Sequence, residues 1–71
     1  MRRYTFKSDV GPFHIVEHNR LFHPVFQGHY LGAYPSAQRA ADDLARGETL
    51  KAPGVADTAA LGIPPDLEQW Q

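Results

Sequence analysis

Ser36-Ala37-Gln38-Arg39-Ala40-Ala41-Asp42-Asp43-Leu44-Ala45-Arg46-Gly47 is the stretch on which the fold turns. Apolar side chains recur at Ala37, Ala40, Ala41, Leu44 and Ala45, the i, i+3, i+4, i+7, i+8 spacing of one helical face. Ser36 supplies a hydroxyl that can accept from an orphan N–H of the first turn. Gly47 is the usual C-terminal stop, and Arg46 sits favourably in the last turn. The spacing predicts a helix over 36–46. Its buried stripe is mostly alanine, so it can lie close on its partner, with Asp42 and Asp43 facing solvent.

The residues before this helix read as strands. Tyr4-Thr5-Phe6-Lys7, Phe13-His14-Ile15-Val16-Glu17-His18, Leu21-Phe22-His23-Pro24-Val25-Phe26 and His29-Tyr30-Leu31-Gly32-Ala33-Tyr34 are rich in strand formers. They are separated by turn chemistry at Ser8–Pro12, Asn19-Arg20 and Gln27-Gly28. Connections this short allow only antiparallel neighbours. Pro24 cannot donate to a ladder, so it belongs at an edge, a bulge or an unpaired position. Phe13 and Ile15 share one face of the second strand, and His14, Val16 and His18 the other. Phe22, Pro24 and Phe26 share one face of the third strand, and Leu21, His23 and Val25 the other. A sheet with one wet face alternates cleanly, so the helix is expected to cover one face and the C-terminal arm partly to cover the other, or its edge.

After the helix the composition changes. Ala52-Pro53-Gly54 breaks the chain. Asp57 to Gly62 fits one capped turn, and Pro65 to Trp70 a final turn with proline at its start. Leu61, Ile63, Leu67 and Trp70 are too many apolar groups for a disordered tail. Residues 48–71 are therefore expected to form an arm with short helical turns that wraps back, and deletion of 61–71 is expected to unfold the domain. The expected class is α+β. A three- to four-stranded antiparallel meander over 1–34 packs on one helix over 36–46, in a single domain spanning 1–71.

The totals bound what such a domain can be. With 71 residues, it buries about 60% of the surface its unfolded chain exposes. There is no cysteine, which removes disulfides and thiolate zinc sites and suits a reducing cytoplasm. No apolar run reaches the roughly 18 residues of a membrane span, and no apolar stretch follows the basic pair Arg2-Arg3, so neither a membrane anchor nor a signal peptide is expected. The charge is uneven. Arg2, Arg3, Lys7 and Arg20 against Asp9 and Glu17 leave residues 1–34 at +2, while residues 35–71 stand at −3. An anionic partner would meet the first half.

Four histidines, His14, His18, His23 and His29, all fall in that half. Imidazole suits zinc or nickel, but no Asp, Glu or Cys stands at ligand spacing with them, so no metal site is assigned. No nucleophile elbow, phosphate-cradling glycine loop or zincin motif is present, so no catalytic residue, enzyme activity or cofactor is assigned.

The run Arg20 to Ala45 resembles the AP2-type DNA-binding module and the related arm-binding domains of phage integrases. The likeness is carried by Leu31-Gly32-Ala33-Tyr34 at the strand end and by Ala40-Ala41-Asp42 in the helix. It covers about a third of the chain. It implies a three-stranded antiparallel sheet followed by a helix, and a sheet surface that enters the DNA major groove through Arg and Trp side chains. Only Arg20 matches a basic position of that surface. The ending Asp57-Thr58, Leu61-Gly62-Ile63-Pro64, Leu67 and Trp70 also resembles small uncharacterised bacterial proteins of this length, which implies a free-standing domain.

Two roles follow as expectations. The first is a non-enzymatic interaction or regulatory module, a monomer or weak dimer, that binds a protein through a sheet edge or an aromatic patch of Tyr4, Phe22, Tyr30 and Tyr34. The second is a weak nucleic-acid binder. Its candidate binding residues are Arg2, Arg3, Lys7, Arg20, His14, His18 and His23.

Overall fold

The computed structural model describes residues 3–71. Strands β1 (Arg3–Ser8), β2 (Gly11–His18), β3 (Leu21–Phe26) and β4 (His29–Tyr30) form one antiparallel sheet in the order β1-β2-β3-β4. Helix α1 spans Ala37–Arg46. Short 3-10 helices follow at Thr58–Leu61 and Leu67–Gln69. Among these residues no helix is long and apolar enough to cross a membrane.

Two-residue turns fix the register. Asn19 and Arg20 both take positive φ (54° and 66°), as do Gln27 and Gly28 (51° and 78°). That is the left-handed pair whose twist matches a hairpin. The rows that result are Tyr4–Ile15–Pro24 and Phe6–Phe13–Phe26 on one face, with Arg3–Val16–His23 and Thr5–His14–Val25–Tyr30 on the other.

Pro24 lies inside the sheet and decides where β4 ends. The Phe22 N–H donates to the Tyr34 carbonyl at 2.8 Å, so the backbone nitrogens of Phe22 and Pro24 both face away from β2. Pro24 has no proton to give there. It accepts from the Leu31 N–H at 2.7 Å, but the Leu31 carbonyl takes its proton from Leu50 instead, at 2.9 Å. The strand expected over 29–34 therefore narrows to His29–Tyr30, and the chain rejoins β3 only at the Phe22–Tyr34 bridge.

α1 covers the Phe13 face. Ser36 caps it through its hydroxyl, which accepts from the Arg39 N–H at 3.1 Å, and Gly47 ends it in the left-handed region. Ala37, Ala40, Ala41 and Leu44 are buried against Phe13, Ile15, Phe26 and Leu31. Phe13 and Phe26 stack with centroids 4.3 Å apart. Small side chains on the helix leave room for these large ones on the sheet. The Asp42 side chain faces solvent as expected, but Asp43 is half-buried, because Tyr34 and Arg46 lie beside it.

Ala52, Val55, Ile63 and Trp70 join the same cluster. The Trp70 ring stands 5.8 Å from Phe6, and its Nε1–H donates to the Pro64 carbonyl at 3.0 Å. Gln38 of α1 donates to the Pro65 carbonyl and accepts from the Leu67 N–H. The Thr58 hydroxyl donates to the Leu44 carbonyl at 2.7 Å, serving an orphan acceptor of the helix end. Gln71 exchanges two backbone hydrogen bonds with Thr5, at 2.7 and 2.9 Å, along the outer edge of β1. The last turn opens on Asp66, whose carboxylate accepts from the Glu68 N–H, one residue later than the expected proline start. Apart from Gln71 at the β1 edge, these residues fill in beside α1, so of the two expected places for the arm it takes the edge and leaves the second sheet face uncovered.

Candidate functional site

The uncovered face gathers most of the candidate binding residues. Alternation along β1 brings Arg3, Thr5 and Lys7 onto it, and the register carries it through His14, Val16 and His18 on β2 to Leu21, His23 and Val25 on β3. Tyr30 on β4 completes the Thr5 row. Arg20 stands at the exposed tip of the β2–β3 hairpin. Arg2 lies outside the described residues. Among the described strand residues, no Asp or Glu alternates onto this face. Glu17 belongs to the helix-covered face by alternation, yet it lines one of the depressions beside the site.

Val25 shows how this face is shielded. It is 9% exposed, yet it is not part of the core cluster around α1. Its cover comes from neighbours on the open face. Two shallow depressions meet beside it, and Arg3 borders both. One, of about 230 Å³, is lined by Val16, Glu17, His18 and Tyr30. The other, of about 350 Å³, is lined by Pro12, His14 and Gly28.

The rings are held in place. His23 presents Nδ1 to the Gly32 carbonyl at 3.1 Å and Nε2 to the His18 carbonyl at 3.2 Å. The Tyr30 ring, 53% exposed, leans on His23 with centroids 4.7 Å apart. His18 and His23 stand 6.3 Å apart, centroid to centroid. Thr5 Oγ1 and His14 Nδ1 are 3.0 Å apart. Burial, and after it the Arg3 guanidinium, hold the His14 imidazole below the usual histidine range. Among the described residues no group of three or more His, Cys, Asp or Glu side chains is arranged to hold a metal ion.

The acidic groups collect elsewhere. Arg46 reaches Asp42 at 3.2 Å, Asp43 at 2.9 Å and Glu48 at 3.3 Å, three carboxylates around one cation at the end of α1. Exposed pairs of this kind contribute little stability, but they place the negative charge on the side opposite the open face. The Tyr34 phenol is pushed up to about 12, first by burial and then by the neighbouring Asp43 and Glu48 carboxylates.

The proposed aromatic patch does not assemble. Tyr4, Phe22 and Tyr34 pack on the core cluster, and Tyr30 alone lies on the open face. The sequence groups Arg3 and Lys7 with the histidines; that Tyr30 joins them on one face comes from the register. From β2 onward that parity is legible, because the two-residue turns fix which residues stand opposite. The stretch Ser8–Pro12 reads as one turn, whereas β1 runs to Ser8 and β2 begins at Gly11, so only Asp9 and Val10 turn.

No protein-family model, curated protein or solved structure matches the chain.

Proposed function

We propose that this domain is a non-enzymatic nucleic-acid-binding module that meets the phosphate backbone with the open face of its sheet. The observation that carries this reading is the separation of charge: Arg3 and Lys7 share a face onto which no carboxylate alternates, with His14, His18 and His23 as hydrogen-bonding rings beside them, while Asp42, Asp43 and Glu48 cluster at the end of α1. A polyanion gains from such a face, and its approach is oriented by the acidic opposite side. The alternative role, protein recognition by strand addition or an aromatic patch, has less to stand on. Gln71 occupies the β1 edge at Thr5, β4 offers two residues, and three of the four aromatics are half-buried against the core. A cysteine-free chain suits a reducing cytoplasm, where nucleic acid is at hand.

Binding is weak because the cations are few. Two phosphate contacts predict a salt slope of about −1.4 to −1.8. Fluorescence anisotropy with labelled oligonucleotides at about 20 mM salt tests the reading, since phosphate contacts strengthen as salt falls. The expected result is saturable binding that the double substitution Arg3→Gln, Lys7→Gln abolishes. No binding at that salt removes the proposal.

A further inference from the structure

We infer that the open face takes single-stranded rather than duplex nucleic acid, seating two neighbouring bases in the depressions on either side of Arg3. This rests on the nucleic-acid reading above and names the form of the ligand. A sheet that reads a duplex must reach base edges at the floor of a groove about 8.5 Å deep, which takes long donors across its width. Here the long cationic side chains on the face, Arg3 and Lys7, both stand on β1, an edge strand, and Arg20 lies beyond the face at the tip of the β2–β3 hairpin. The inner strands present rings instead. His14 lines one depression, His18 and Tyr30 line the other, and His23 props Tyr30 from beside it.

Cations along one side and ring faces along the other are the two parts of a single-strand platform. The backbone follows the charge, and unstacked bases lie on the rings. The arrangement has a direction across the sheet, with phosphates over β1 and bases over β2 to β4. Arg3 borders both depressions, so one guanidinium can meet the phosphate between two seated bases. Tyr30 is the stacking surface with most area to offer, 53% exposed and backed by His23, so little order is lost when a base covers it.

The test compares one labelled DNA oligonucleotide of roughly 16 nucleotides, as a single strand and annealed to its complement below the duplex melting point. Anisotropy at low salt is expected to show tighter binding of the single strand. Tyr30→Ala is expected to weaken it about 5-fold or more, the loss of one stacked base. Tyr30→Phe, which keeps the ring, is expected to bind as the parent does, and it guards against a folding defect in the alanine variant. Upfield shifts of the His14, His18 and Tyr30 ring protons on titration would report stacking directly. Equal or tighter duplex binding, or an unchanged affinity in Tyr30→Ala, overturns the inference and leaves the nucleic-acid reading in place. Failure of both probes to bind overturns that reading as well.

Discussion

Replacing Trp70 by alanine should remove most of this domain's stability. The side chain is the penultimate residue, yet it is 7% exposed, tilts against Phe6 at 5.8 Å and donates to the Pro64 carbonyl. A buried aromatic of this kind covers about 150–250 Å². At about 25 cal/mol per Å² that is roughly 4–6 kcal/mol, an upper bound because the unfolded chain already hides some of it. Truncations of buried aromatics elsewhere cost about 3–5 kcal/mol. The whole domain has about 4–10 kcal/mol to lose, at roughly 0.05–0.15 kcal/mol per residue. Each kcal/mol moves the midpoint of a chain this size by about 4–8 °C, so Trp70→Ala should lower it by at least about 12 °C. Circular dichroism during heating, backed by urea titration, reads the change. Trp70→Phe keeps a ring beside Phe6 and loses only the N–H donor, so it should cost about 1–2 kcal/mol. A fall of less than about 4 °C in Trp70→Ala would refute the claim that the chain end is part of the core.

Three further outcomes are expected. Gly47→Ala should cost roughly 2–3 kcal/mol, because φ is +73° and the new methyl would run into Asp57, the cap of the following turn. Gly54→Ala, at a similar φ but in open space, should cost only about 1 kcal/mol, and equal losses in urea titrations would contradict the close approach. The folded state disfavours protonated His14, so the unfolded chain takes up more protons once pH falls below 6.5. Stability is full above that value and declines as pH drops through the lower folded-state value. His14→Gln should flatten the decline, and parallel urea midpoints against pH for both proteins would speak against it. The Tyr34 phenol, raised to about 12, should titrate late by near-ultraviolet absorbance and move back toward 10 in Asp43→Asn. Stability is full below pH 10 and falls as pH rises toward 12, the range in which only the unfolded phenol ionises.

The helix was readable because its signals are local. Ser36, the alanine spacing and Gly47 each act within a turn or two, and each appears in the role its chemistry dictates. The hairpin turns were readable for the same reason. Asn19-Arg20 and Gln27-Gly28 take the left-handed pair that two-residue connections require. Asp57 capping and Gly62 ending the first 3-10 turn were local as well. β4 was overestimated because its length is set at a distance. Leu31 has strand propensity, but Pro24 withholds the proton it would need and Leu50 supplies one instead. The half-burial of Asp43 likewise depends on Tyr34, a residue that no helical periodicity brings into view.

The candidate site divides along the same line. Sequence alone determined the β2–β3 hairpin and hence the parity that puts His14, His18 and His23 on one surface, since side chains on a strand alternate and a turn of two residues leaves no freedom of register. The structure joined Arg3 and Lys7 to them, by pairing β1 to β2 through Asp9 and Val10 rather than through a longer turn over Ser8–Pro12. Only the tertiary structure decided which surface that would be. Apolar groups on both faces left α1 and residues 52–71 two places to pack, and the larger rings of Phe13 and Phe26 drew both to the same side. Burial of apolar area has no direction along the chain; it is settled by the volumes that meet across the sheet, and those exist only once the chain has closed on itself.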